Sequence, residues 1–290
     1  MANTQFDYRT AFSRNIGWMT IEEQDILKTK RVAIAGLGGV GGSHLLTLTR
    51  LGIGKFNIAD FDRFELPNFN RQAGATVSHL EKPKVDVLAE MALDINPELD
   101  IRKFPTGVTT ENMSDFFTDV DLYVDGIDFF AFAAREAIFA TCATQGIPAV
   151  TAAPLGMGTA LLNFMPHQMT FEEYFLMAGK SQLDKALHFL IGLSPSMLQN
   201  GYLVDPTTFD FINHKGPSTP MGCELCAGVA ASQALKILLK RGPIVAAPWG
   251  LHFDAYQNKL AKTWRPGGNN NPLQRLRLML AKQKFKGIDQ

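Results

Sequence analysis

The chain is 290 residues long, with 46% apolar and 19% charged residues, and 28 Lys+Arg balance 28 Asp+Glu. That composition excludes a disordered chain, and a formal charge of zero argues against nucleic acid or an anionic membrane as the main partner. Three cysteines are too few for a disulfide framework, the N-terminal MANTQFDYRTAF has no signal-like apolar core, and no uncharged run is long enough to span a bilayer, so a reducing cytoplasm is the expected compartment.

Residues 1–30 read as an arm and a short helix, with Thr20 and Glu23 in a capping-box pattern ahead of IEEQDILK. The arm segment YRTAFSRNIGWMT has too little apolar content to fold alone. RVAIAG (31–36) reads as a buried strand, Gly41 to Leu51 as a helix, and KFNIAD (55–60) as a second strand. Lys84 to Ile95 places Val85, Leu88, Met91, Ala92 and Ile95 at helical spacing, and Asn96-Pro97 stops it. DIRKF, DLYVDG, a helix over Ala131–Thr144 and IPAVTAA continue the alternation, which predicts an α/β fold with a doubly wound, mostly parallel sheet. GTALLNFMP is a further strand, and FEEYFLMAG and LDKALHFLIGL are amphipathic helices. LVDPTTFDFINHKGPSTPMG reads as an exposed crossover. CELCAGVAASQALKILLKRG is a helix, HFDAYQNKLAKTW supplies antiparallel closing strands, and WRPGGNNNP leads into a basic tail.

Gly36, Gly38, Gly39 and Gly41 fall between a strand and a helix as G-x-G-x-x-G, a loop that lets backbone approach phosphate at a positive helix N-terminus. NAD, FAD and ATP users share that loop. Asp60, ending the second strand, has the spacing of a carboxylate that binds ribose hydroxyls. Asn68, Arg71 and Gln72 then follow in DFDRFELPNFNRQ, and Lys84 opens the next helix. A nicotinamide site does not need an amide, a guanidinium and an ammonium together. A nucleoside triphosphate attacked at its α-phosphate does, because its charge must be neutralised as pyrophosphate leaves. Asp125-Gly-Ile-Asp128 ends another strand, where a carboxylate can hold Mg²⁺ across phosphates. Asp62 reads as a capping or turn residue, Lys82 as a solvated neighbour of Lys84, and Arg135 as a structural partner.

These residues, in the order G-x-G-G-x-G, D-x-D-x(5)-N-x-x-R-Q, K, inP and D-x-x-D…R, resemble the ThiF/MoeB/HesA family, bacterial relatives of ubiquitin-activating enzymes. The resemblance covers roughly residues 8–165, and more weakly 216–264. It implies that Gly39 abuts the nucleotide, Asp60 binds ribose, Asn68, Arg71 and Lys84 contact phosphates, and Asp128 binds Mg²⁺. It also implies a homodimer in which an arginine of the arm enters the partner's active site. Arg14 is the best match, with Arg9 as the fallback. The domain expected is a single ThiF-type adenylylation unit over 1–268. It comprises the arm (1–30), a nucleotide-binding part (31–165), a helical insertion and crossover loop (166–222) and a closing helix with strands (223–268). A basic tail (269–290) follows.

Departures from the family are specific. Only Cys223-Glu-Leu-Cys226 stands where many members carry two C-x-x-C pairs, and Cys142 is distant, so one chain cannot build a Cys₄ zinc site. His214 and His252 lack ligand spacing. Buried structural thiols, a redox or sulfur-handling pair favoured by a helix N-terminus, and a metal half-site are the three readings, in that order. No cysteine lies between Met157 and Gly222, which argues against a thioester relay. Phe129 stands where the family has an asparagine after Asp128. The insertion 169–193 shapes an acceptor site or covers a sheet edge. The tail from Pro272 carries a helical stripe of Leu273, Leu276 and Leu280 among basic residues, read as a solvated terminal helix, with a docking role and an RNA contact open.

The expected activity is adenylylation of a carboxylate by ATP and Mg²⁺ with release of pyrophosphate. The favoured acceptor is the C-terminus of a small ubiquitin-like or sulfur-carrier protein, and a peptide carboxylate comes second. A carboxylate on a tRNA nucleoside, a non-catalytic scaffold of the same fold and a NAD(P)-dependent oxidoreductase are the alternatives, and no DNA partner is expected.

Overall fold

The computed structural model describes residues 6–205, 208 and 216–284. Tyr8–Ala11 (α1) and Ile21–Thr29 (α2) form the N-terminal segment. The capping box is present, with the Thr20 hydroxyl accepting from Glu23 N–H at 3.1 Å and the Glu23 carboxylate accepting from Thr20 N–H at 2.9 Å. Strands Arg31–Ala35 (β1), Lys55–Ala59 (β2), Asp100–Phe104 (β3), Leu122–Asp125 (β4) and Ala149–Leu155 (β5) are parallel. Helices Gly41–Leu51 (α3), Lys84–Ile95 (α4), Met113–Phe116 (α5) and Phe132–Gln145 (α6) lie between them in the chain. Gly158–Phe164 (β6), Trp249–Asp254 (β7) and Lys259–Trp264 (β8) complete the sheet antiparallel, in the order β3-β2-β1-β4-β5-β6-β7-β8. Strand order therefore reverses between β1 and β4, the place where an open α/β sheet parts its loops and binds ligands.

Because successive strand residues point to opposite faces, β1 feeds two cores. Val32 and Ile34 join Leu45 and Leu48 of α3, Leu88 of α4 and Ala230 of the long helix Pro220–Leu238 (α9). Ala33 and Ala35 face an aromatic layer of Phe116, Phe132, Phe139, Phe171, Phe175 and Phe189. Phe171–Phe175 (α7) and Gln182–Leu193 (α8), the insertion read from the sequence, supply half of that layer. By length and apolar content α9 could cross a membrane, but its buried side packs into the first core and more than half of it is enclosed.

The tail segment after residue 271 forms Pro272–Lys284 (α10). Leu278 packs on Leu187 and Ile191 of α8, and the buried Gln274 donates to the Ile191 carbonyl at 3.0 Å. The stripe of Leu273, Leu276 and Leu280 lies on the outward side with Met279, so this helix is amphipathic toward its own chain through different residues. The crossover falls partly outside the described residues. Its start is tied down by Tyr202, whose hydroxyl donates to Asp254 at 2.6 Å and accepts from Met157 N–H at 2.7 Å. Burial and the Asp254 carboxylate together push that phenol up to about 12.

Candidate active site

The loop from Gly36 to Gly41 leaves β1 at the switch point. Gly36 has φ +80°, and a Cβ there would run into the Gly126 carbonyl, while one on Gly41 would strike the Gly36 carbonyl. These two glycines let the loops after β1 and β4 pack backbone to backbone. Gly39 serves the outer side of the same loop. A Cβ on it would lie 3.3 Å from Cys223 Sγ and 3.5 Å from Arg71 Nε, so the glycine keeps that surface low between a thiol and a guanidinium. Val40 precedes α3 without a side-chain cap, which leaves the N–H groups of the first turn for an anion.

Asp60 stands at the end of β2, nearly buried. Its carboxylate accepts from Leu37 N–H at 2.6 Å and from Asp62 N–H at 2.7 Å, so it ties the glycine loop to the second strand. Burial pushes this carboxyl above its ordinary value against the pull of those two hydrogen bonds and the nearby Lys84. Lys84, almost wholly buried at the start of α4, donates its Nζ to Asp62 Oδ2 at 2.9 Å.

A short 3₁₀ turn over Leu66–Asn68 brings in the amide and guanidinium. Asn68 Oδ1 accepts from Glu65 N–H, and its carbonyl accepts the N–H groups of Arg71 and Gln72. Arg71 donates to the Pro67 carbonyl and to Asn70 Oδ1. Gln72 is buried, with Nε2 3.7 Å from where a Gly38 Cβ would be, and its Oε1 has no hydrogen-bond partner among the described residues. Across the site, Asp125 ends β4 and pairs with Arg135 of α6, both sealed from solvent. Arg135 also donates to the carbonyls of Ile127, Asp128 and Phe129, so it shapes the loop that presents Asp128. Asp128 is exposed, accepts from Phe130 N–H at 3.0 Å, and forms no ion pair among the described residues.

The chain also matches the sequence profile of the ThiF family over residues 12–275. It belongs to the ThiF family. Among its ThiF-type relatives, the tRNA threonylcarbamoyladenosine dehydratase of Bacillus subtilis is 32% identical over 141 residues, 48% of this chain and 55% of that protein. The sulfur carrier protein ThiS adenylyltransferase of Escherichia coli is 30% identical over 148 residues, 51% of this chain and 58% of that protein. The chain thus spans just over half the length of these curated relatives. The crystal structure of E. coli MccB with ATP superposes with a TM-score of 0.64 at 19% identity, covering 90% of this chain and 72% of that one, which establishes a common fold.

Within this ThiF fold, Gly36, Gly38, Gly39, Gly41, Asp60, Gln72 and Lys84 all lie at the ends of β1 and β2 or beside them, and Arg71 reaches Gly39. Arg14 lies elsewhere. Tyr8 donates to the Gly52 carbonyl and Asn15 to the Arg50 and Leu51 carbonyls, which docks the arm at the C-terminal end of α3. The glycine loop is at the other end of that helix, about 16 Å away for 11 residues. Arg14 is exposed there with no side-chain partner among the described residues, whereas Arg9 is paired with Asp25 at 2.7 Å. The arm is not short of apolar anchors in context, since Tyr8, Phe12 and Met19 are all buried on its own chain.

The two cysteines do not open their helix. Thr219 caps α9 and Pro220 begins it, so Cys223 and Cys226 lie in its second turn, fully buried. Burial pushes both thiols up, which removes the thiolate advantage expected of a helix N-terminus, and Cys226 donates instead to Thr159 Oγ1 at 3.1 Å. His252 Nδ1 is bonded to Ser194 and Ser196, and His214 lies outside the described residues. Sequence reasoning missed the counter-ion role of Asp62 and the unpaired Gln72 oxygen. It also missed the link from Asn70 to the Ser218 carbonyl at 3.0 Å, which joins the Arg71 turn to the end of the crossover. Asp62 had a signal, its place two residues after Asp60, but pairing with a residue 22 positions away is a tertiary fact.

Proposed function

We propose that this protein adenylylates a carboxylate at the expense of ATP. The observation that carries the reading is the convergence of the Gly36–Gly41 loop, Asp60, Arg71, Gln72 and Lys84 on one sheet edge, with the buried Gln72 Oε1 unpaired among the described residues. An uncapped helix N-terminus, a low glycine surface and an orphaned polar atom fit a nucleotide. Asp60 would take the ribose, and the first turn of α3, Asn68, Arg71 and Lys84 would take the phosphates. Asp128 would hold Mg²⁺, whose charge, when bound, would help neutralise the triphosphate.

In the reaction an acceptor carboxylate oxygen bonds to the α-phosphorus, the bond to the bridging oxygen breaks, and its electron pair leaves with pyrophosphate. The protein's contribution is positioning and charge neutralisation, with no covalent enzyme intermediate. The acceptor favoured is the C-terminus of a small ubiquitin-like or sulfur-carrier protein, in line with the ThiS-activating relative. A peptide carboxylate is the next choice. A tRNA nucleoside carboxylate has one observation of its own. Helix α10 carries Arg275, Arg277, Lys282 and Lys284 with no acidic residue, and one relative is a tRNA dehydratase. We place the active unit in a homodimer, because Arg14 sits too far from its own glycine loop to serve it.

ATP–pyrophosphate exchange, run against small ubiquitin-like proteins, peptides and tRNA, tests this directly. Exchange that depends on a carboxylate acceptor is expected. Tighter binding of NAD(H) than of ATP in calorimetry would overturn it.

A further inference from the structure

Lys84 is a deeply buried cation of the site, and its charge is answered within its own chain. Its side chain is 6% exposed, and among the described residues its ion-pair partner is Asp62, 51% exposed, at 2.9 Å. Asp62 is fixed on both sides by its backbone. Its N–H donates to Asp60 Oδ1 at 2.7 Å, and its carbonyl accepts from Lys84 N–H at 2.9 Å. The flanking chains are laced as well, Phe64 N–H to the Lys82 carbonyl at 3.0 Å with a bridge between Arg63 and Pro83. One residue thus joins the ribose-side carboxylate to the phosphate-side ammonium.

The two members of this pair differ in what separation costs. An ammonium buried at the start of α4 cannot turn to water and needs an anion. A half-exposed carboxylate can be hydrated once its partner leaves. We propose that Asp62 is a resident counter-ion for Lys84, and that a bound triphosphate must take the ammonium from it. On the reading above, which this inference deepens, Asp62 is a positioning residue. It holds the Lys84 ammonium aimed until a nucleotide arrives, and it competes with the phosphates for the same proton donors.

The sign of the consequence is unusual. Removing the carboxylate while keeping the backbone links should tighten ATP, not weaken it. Asp62→Asn should lower the ATP dissociation constant about fivefold, the scale of one partly exposed ion pair. The gain should vanish in a Lys84→Met background, because the competition no longer exists.

The experiment is calorimetric titration of the full chain with ATP and Mg²⁺, without acceptor, for wild type, Asp62→Asn, Lys84→Met and the double variant. Asp62→Ser, equally uncharged, is made in parallel in case the amide disturbs folding. Tighter binding in the charge-removed protein, and none in the Lys84→Met background, is the expected pattern. Weaker or unchanged binding in a folded Asp62 variant overturns the inference and leaves the functional reading intact. Equal tightening in both backgrounds overturns it too, since Asp62 would then act on the nucleotide directly. Failure of the wild-type protein to bind ATP overturns both.

Discussion

Arg135 Nε lies 3.0 Å from Asp125 Oδ2, and this ion pair, closed to solvent, supports the loop that carries Asp128. The carboxylate is further held by the hydroxyl of Thr151 at 2.9 Å, and the guanidinium by three carbonyls of residues 127–129. Removing one member leaves the other charged and buried with hydrogen bonds but no counter-charge. Arg135→Met should therefore cost about 3–5 kcal/mol of stability. Urea denaturation followed by far-UV circular dichroism measures it. Adding Asp125→Asn to Arg135→Met should recover part of the loss, because no lone charge then remains.

Asp128 is the opposite case, an exposed carboxylate at the tip of that loop. Asp128→Ala should leave the unfolding free energy within about 0.5 kcal/mol, as surface substitutions do. Pyrophosphate release should nevertheless fall about 10²–10³-fold, the usual effect of losing one placed electrostatic group. Near-normal release by the folded variant would overturn the role proposed for Asp128.

His44 of α3 is fully buried, and neither ring nitrogen has a hydrogen-bond partner among the described residues. Burial lowers its pKa to about 4 from an ordinary 6.5, against an opposing pull from Asp125. Between those values the unfolded chain binds a proton that the folded chain refuses. Stability from this group is therefore complete above pH 6.5 and declines as pH falls toward 4, by about 3 kcal/mol in all. His44→Leu should flatten that acid limb. Unfolding free energies of both proteins at pH 7 and pH 4.5 decide it, and parallel curves would rule out His44 as the source.

Arg14 yields the test of the shared site. If it serves the partner's phosphates, Arg14→Ala and Lys84→Ala homodimers should each be nearly inactive. Subunit exchange would gather both lesions into one composite site and leave the other intact, so heterodimers should recover about half of wild-type activity. Confirmed exchange without recovery would refute action in trans. Lysine at position 14 should substitute poorly, because it offers phosphate no bidentate fork.

Much of this molecule could be read from local pattern. The α3 and α4 boundaries, Gly41–Leu51 and Lys84–Ile95, follow from the glycine loop, helical spacing and the Asn96-Pro97 stop, all properties of neighbouring residues. The Thr20–Glu23 capping box was legible for the same reason, since its two partners are three residues apart. The common placement of the Gly36–Gly41 loop, Asp60 and Lys84 was legible because strand ends in an alternating α/β chain fall on one edge.

What remained hidden depends on distant packing. Cys223 looked like a helix-opening thiol until Pro220 and Thr219 were seen to begin the helix earlier and Gly39 to close over the sulfur. Leu273, Leu276 and Leu280 make a stripe on paper, yet α8 takes Gln274 and Leu278 of the same helix, leaving the stripe outside. Asp62 read as a turn residue, and only the approach of α4 to the end of β2 made it the counter-ion of Lys84. Periodicity and turn chemistry are written in adjacent side chains, so the sequence alone determined the elements and their order. Charge pairing and the choice of buried face depend on which elements meet, and only the tertiary structure decided those.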